Sequence, residues 1–177
     1  RLAPLTADDD QAAAFLLEAV SAEPDVCLLV CQHMPPKFTE AFAERLDRIA
    51  SFRVTEAKDG DAVEPGRAFI APGGRQLLVH RAGTRLRLRT EAPGDGDKHA
   101  PSTDRLFESL ARVLGKRSLG VVLTGMGADG AEGARAIARA GGQVWAEAES
   151  TAVIFGMPKE AIATGAVSRV LGLHEIG

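Results

Sequence analysis

The sequence predicts an α/β fold: a mainly parallel sheet with helices on both faces and one antiparallel hairpin. Three observations carry this expectation. The apolar runs at 26–31 and 119–123 are short, unbroken and bounded by turn residues, as in strands buried on both faces. Segments of helical period alternate with such strands through most of the chain. One later segment instead alternates strictly, with Leu86 and Leu88 set against Arg85, Arg87 and Arg89, as a half-buried antiparallel arm does.

Each element has its own signal. Residues 2–5 are apolar, but Pro4 weakens them as a strand because it lacks an N–H. Thr6 through Asp10 reads as a helix entrance, with a hydroxyl to cap and acids to suit the helix dipole. Ala13, Phe15, Leu16 and Val20 follow at roughly helical spacing, and Pro24-Asp25 ends that helix. After the strand at 26–31 and the stop at Pro35-Pro36, Phe38, Phe42, Leu46 and Ile49 mark one face of a second helix. Strands are expected near 53–57, 67–71 and 76–81, divided by Asp59-Gly60, Pro65-Gly66 and Pro72-Gly73-Gly74. The last pairs with 84–90 across Ala82-Gly83. Residues 91–101 form a polar loop. Ser102-Thr103-Asp104 then caps a helix through Leu106, Phe107, Leu110 and Val113, which Gly115 ends. The strand at 119–123 leads into the turn Thr124 to Gly130. A helix to Ala140 follows, closed by Gly141-Gly142. A strand at 144–146, a short helix at 159–163 and a strand at 167–171 complete the chain.

Composition narrows the function. At 177 residues the chain fits one domain spanning 1–177 and is long enough for a real core. Arg1 in place of Met points to a piece cut from a longer protein. Hydrophobic residues at 45% and charged residues at 25% exclude a disordered or collagen-like chain. A net charge of −3 offers no basic surplus for nucleic acid. No apolar run reaches the roughly 18 residues that a bilayer span needs, so no membrane insertion is expected. Two cysteines in one apolar run do not make a secreted framework, and the chain reads as cytoplasmic. No spacing of His, Cys and carboxylates suggests a metal site, and no cofactor is expected. The basic face of Arg85, Arg87 and Arg89 reads first as solvated surface, and second as a stripe for a partner.

Ligands of open parallel sheets bind beyond the carboxyl ends of the strands. Two segments at such ends carry chemistry-bearing residues. His33 follows the strand at 26–31 and suits a general base, since imidazole takes and returns protons near neutral pH. Asp129, at a neighbouring strand end, could hold its ring in one tautomer. Gly125, Gly127 and Gly130 let backbone approach a substrate, and N–H groups there could steady an oxyanion. The plainer readings are a hydrogen-bonded structural histidine and a helix-capping aspartate. His80, His99 and His174 are expected at the surface.

Taken together, the motifs are more specific. They are Gln32-His33-Met34-Pro35-Pro36-Lys37-Phe38-Thr39, Phe42-Ala43-Glu44-Arg45-Leu46 and Pro65-Gly66-Arg67-Ala68-Phe69-Ile70-Ala71-Pro72-Gly73. Further on come Pro101-Ser102-Thr103-Asp104, the run from Gly120 to Ala131, and Glu149-Ser150-Thr151 leading to Phe155-Gly156-Met157-Pro158. In these the chain resembles the catalytic domain of the chemotaxis protein-glutamate methylesterases, the CheB family, from Val26 to Leu173. The resemblance implies a doubly wound α/β sheet and hydrolysis of methyl-glutamate esters, or deamidation of glutamines, on chemoreceptor helices. It implies a Ser-His-Asp triad with His33 as base, Asp129 as its orienter, and Met126 in the oxyanion region with Gly125 and Gly127. It also implies chemoreceptor cytoplasmic helices or other chemosensory proteins as partners, and a receiver domain outside this chain.

One departure bears on chemistry. Where the family has a turn like Ile-Gly-Ala-Ser-Thr-Gly-Gly, this chain reads Pro4-Leu5-Thr6-Ala7-Asp8-Asp9-Asp10. Aligned without gaps, the serine falls on Ala7, which has no nucleophilic atom. Three aspartates then crowd the helix start, opposing an oxyanion while favouring the helix dipole. Thr6, one position off, and Cys31, two residues before His33, are the candidate substitutes. Gln76 stands where many relatives carry histidine, and Glu147-Ala148 replaces a Gln-Asp or Gln-Asn pair. The expectation is a methylesterase-like pseudoenzyme with an incomplete triad, working as a binding or regulatory module. The alternative is an active ester hydrolase or glutamine deamidase using Thr6 or Cys31. A third reading is a structural fusion domain that keeps its site only for folding.

Overall fold

β2 (Cys27–Gln32) has all six residues buried, as an unbroken apolar run requires when both sheet faces are covered. In the computed structural model, which describes residues 2–7, 10–19 and 25–176, it is one of seven parallel strands. The others are β1 (Leu2–Ala7), β3 (Arg53–Glu56), β4 (Arg67–Ile70), β7 (Leu119–Val122), β8 (Gln143–Glu147) and β9 (Arg169–Leu171). Their spatial order is β3-β4-β2-β1-β7-β8-β9. β5 (Gln76–Ala82) and β6 (Arg85–Glu91) form the separate antiparallel hairpin, with Ala82 opposite Arg85, so its two-residue turn is Gly83-Thr84. The predicted turn lay one residue earlier.

The helices are α1 (Asp10–Ala19), α2 (Phe38–Asp47), α3 (Thr103–Leu114), α4 (Ala131–Arg139), α5 (Met157–Ala163) and α6 (Leu173–Ile176). α1 and α2 pack on one sheet face, where Leu17, Phe42 and Leu46 meet Leu28, Val30 and Ile70. α6 adds Ile176 to that layer. On the opposite face Leu106 and Leu110 of α3 join the hairpin's Leu77, Val79 and Leu88 over Leu29, Cys31 and Phe69. Beside them Phe107, Ile137, Met157 and Ala161 from α3, α4 and α5 cover Val122 and Val144. The predicted fold class is therefore the observed one.

Three local readings are corrected. The segment that Pro4 was expected to weaken is a full strand: β1 is central, in register with Leu29 at Pro4, but its pairing with β7 covers only Leu5 and Thr6. Pro4 thus lies within the ladder to β2 but outside the one to β7. Thr6 and Ala7 belong to this strand and not to a helix entrance; α1 starts at Asp10, while Asp8, Asp9 and residues 20–24 lie outside the described residues. In α2, Phe42 and Leu46 are buried, but Phe38 and Ile49 are exposed. Phe38 opens the helix and Ile49 lies past its end, so only the middle of that stripe reaches the sheet.

α3 begins as predicted, with Ser102 accepting from the Arg105 N–H and Gly115 at its end. On the hairpin's basic arm Arg85 and Arg89 are exposed, while Arg87 donates to the Gly60 carbonyl at 2.6 Å.

Candidate functional site

The chain turns away from β1 in both directions: β2 lies on one side and β7 on the other. Such a reversal opens a crevice at the carboxyl ends of the strands. Ala7 ends β1 in register with Gln32, His33 directly follows β2, and the turn at 124–130 follows β7. Three segments far apart in sequence thus converge at the carboxyl end of the central strands.

His33 and Asp129 meet there. His33 Nε2 lies 2.8 Å from Asp129 Oδ2, and the aspartate side chain is 2% exposed. Three further donors hold the carboxylate. The Thr103 N–H reaches Oδ2 at 2.7 Å, while the Asp104 N–H and the Ser102 hydroxyl each reach Oδ1 at 2.9 Å. Burial alone would raise the pKa of Asp129, but His33 and the Asp104 and Thr103 N–H groups outweigh it and lower it to about 2. Asp129 is therefore anionic at neutral pH. A bond to that anion favours a proton on Nε2, leaving Nδ1 as the nitrogen that would act as base.

α3 and α4 cap one another across this pair. Asp129 accepts from the first N–H groups of α3, and Asp104 Oδ1 accepts from Gly130 N at 2.9 Å and Gly133 N at 2.7 Å at the start of α4. The Asp104 pKa is raised, first by burial and also by Asp129. The turn before α4 needs glycine at 127 and 130, whose φ angles are 95° and 101°.

The turn carrying Gly125, Met126 and Gly127 is anchored from the far side. Thr124 N donates to Glu147 Oε2 at 2.8 Å, and Ile154 N donates to Thr124 Oγ1 at 2.8 Å. Gly125 N donates to Ile154 O at 2.9 Å, and Gly125 O accepts from Met157 N at 2.7 Å. Met126 itself is 70% exposed at the tip.

The candidate substitutes differ in setting. Cys31 is 1% exposed within the apolar layer of Leu29, Phe69 and Leu77. Thr6 stands in register with Cys31 and with Val122, one residue before Ala7. His99 is exposed as expected, yet its ring stacks on His33 with centroids 4.6 Å apart. His80 is half-buried on β5 and not at the surface, whereas His174 is exposed. Among the described residues no group of three His, Cys, Asp or Glu side chains could hold a metal, and no helix is long and apolar enough to cross a membrane.

The sequence model of the CheB methylesterase family matches residues 7–177. The chain belongs to this family. It is 65% identical over 162 residues to protein-glutamate methylesterase/protein-glutamine glutaminase 1 of Myxococcus xanthus, covering 92% of this chain and 47% of that protein. It is 55% identical over 149 residues to protein-glutamate methylesterase/protein-glutamine glutaminase 3 of Geobacter sulfurreducens, covering 84% and 40%. The chain thus spans less than half the length of these relatives. The crystal structure of the Thermotoga maritima CheB methylesterase catalytic domain superimposes with a TM-score of 0.95 at 31% identity, covering 99% of this chain and 94% of that one.

For a CheB-type domain, several neighbours of the His33–Asp129 pair escaped the sequence reading. Ser102, Thr103 and Asp104 read as a helix start and as part of a family motif, with no site role attached. Their bonds to Asp129 join positions more than twenty residues apart, and no local pattern reports such a partner. His99 and Gln76 were seen as a loop histidine and a substitution, with nothing to mark where they fold.

Proposed function

We infer that this CheB-type domain has lost its hydrolytic step and serves a chemosensory system as a binding or regulatory module. The observation that carries this reading is the assembled pair, His33 Nε2 to Asp129 Oδ2 at 2.8 Å, beside a strand that ends in Ala7. A methyl group has no lone pair with which to attack an ester. Loss of the nucleophile from a Ser-His-Asp triad costs on the order of 10⁶ in kcat. In the sequence three aspartates directly follow Ala7, and carboxylates near a developing oxyanion would oppose it.

The residues that remain still suit binding. His33, Asp129 and the Gly125-Met126-Gly127 turn would line the crevice that receives a glutamate or glutamine side chain, with Met126 offering an exposed apolar contact. Cytoplasmic helices of chemoreceptors, or other chemosensory proteins, are the partners this implies, in the cytoplasm. A receiver domain elsewhere in the full-length protein would fit the longer relatives. The function needs no cofactor.

The competing reading is an ester hydrolase or glutamine deamidase with a displaced nucleophile. The register of Thr6 with Cys31, two residues before His33, favours Thr6 for that role. Cys31, almost fully buried, is poorly placed for attack.

Methanol release from a methylated chemoreceptor fragment tests the two. No release above the blank is expected, for this protein and for His33→Ala alike, while the fragment still binds. Release that disappears in His33→Ala and in Thr6→Val would overturn the first reading in favour of the second.

A further inference from the structure

Gln76 opens β5 and is fully buried, and both ends of its amide are engaged. Nε2 donates to the His99 carbonyl at 2.7 Å, and Oε1 accepts from the Ser102 N–H at 2.8 Å. The His99 carbonyl can only accept and the Ser102 N–H can only donate, and the Asp97 carboxylate, a further partner of this side chain, can only accept, so the amide has one orientation. Both residues it grips touch the site. The His99 ring stacks on His33, and the Ser102 hydroxyl donates to Asp129 Oδ1 at 2.9 Å. Between them Ala100 accepts from Gly74 N at 3.0 Å, just before β5. The same loop is held outside by Arg105, which binds Asp97 and Glu91, and Glu91 pairs with Gln76 across the hairpin.

We propose that Gln76 is a positioning residue of the His33–Asp129 pair, clamping 99–102 so that one end stacks on the base and the other donates to the acid. This rests on that pair being the functional site, but not on whether the site cleaves an ester. An amide suits the task because it supplies a donor and an acceptor at once and does not titrate. Leucine of similar size supplies neither, and glutamate supplies only the acceptor.

The test is NMR on the isotope-labelled protein. In the wild type, NOEs join the His33 and His99 ring protons, the Gln76 side-chain amide exchanges slowly, and titration of one ring shifts the resonances of the other. Gln76→Leu is expected to weaken the ring–ring NOE several-fold and to uncouple the two titrations. Gln76→Glu is expected to do the same, because a carboxylate cannot donate to the His99 carbonyl. Amide resonances of β2 and α4 report whether each variant is folded. A folded variant that keeps the ring NOE and the coupled titration overturns the proposal. So does a wild-type spectrum that lacks the NOE, whether or not either variant folds. Methanol release has no part in these spectra, so a failure here is distinct from a failure of the functional reading.

Discussion

Asp129 is the residue on which the site's electrostatics turn. Its carboxylate is nearly buried, which costs energy, yet it accepts from His33, two N–H groups and a hydroxyl. The sum is a pKa lowered from 3.8 to about 2. A carboxyl with a depressed folded pKa stabilises the fold above its unfolded pKa, and that contribution is lost as the pH falls through the folded value. At 1.36 kcal/mol per pKa unit, Asp129 contributes roughly 2 kcal/mol above about pH 5, eroding between about pH 4 and pH 2. Asp104 opposes it, because its raised pKa means that the native state holds that proton more tightly. Urea titrations at pH 7, 5 and 3 are expected to show Asp129→Asn less stable than the wild type at pH 7, by about 2 kcal/mol, and less sensitive to acid. Parallel pH dependences in the two proteins would refute this account. The identity of this acid was legible in the sequence, through its place after a strand and through the family motif. Its depressed pKa was not, because Thr103, Asp104 and His33 come from other parts of the chain.

Between elements, the crossed capping of α3 and α4 does the positioning. Each helix start has N–H groups without partners in its own helix, and each borrows the other's aspartate. The two starts must lie close for this, and Gly133 is where the approach is tightest. A Cβ there would come within 2.5 Å of Phe107 Cβ and 3.1 Å of Asp104 Cα. Neither atom lies at the end of a flexible side chain. Gly133→Ala should gain about 1 kcal/mol of helix propensity but lose roughly 1–3 kcal/mol to overpacking. A net loss is therefore expected, seen as a lower urea midpoint with an unchanged slope. A gain in stability would mean that the helices part without cost. Sequence patterns fixed the kind and rough extent of most elements here, since Ser102 and Gly115 bound α3 by local chemistry alone. They misjudged Phe38 and Ile49, because helical spacing identifies a stripe but not how far the facing sheet extends. The spacing of Gly130 and Gly133 likewise gave no hint that α3 packs against both.

At the scale of the whole molecule, stability should fall from the centre of the sheet to its borders. β2 lies between β1 and β4, and all its residues are buried under helices on both faces. β9 is a border strand of three residues, with Arg169 and Val170 exposed and only Leu171 half-buried. Opening β9 breaks a single ladder, to β8, and exposes little apolar surface. Opening β2 breaks two ladders and uncovers Leu28, Leu29 and Val30, each buried, at roughly 1.5–3 kcal/mol per apolar side chain. Native-state hydrogen exchange should then find the amides of 28–30 exchanging only through global unfolding, with a denaturant dependence matching the equilibrium slope. The amides of 169–171 should exchange through local opening, orders of magnitude faster and almost independent of denaturant. The site lies near the stable end of this gradient, since His33 leaves β2 directly and the turn bearing Asp129 follows β7, two strands away. The pair should therefore keep its geometry while β9 frays. Protection of β9 equal to that of β2 would show that the sheet opens as one unit and that the site gains nothing from its central place.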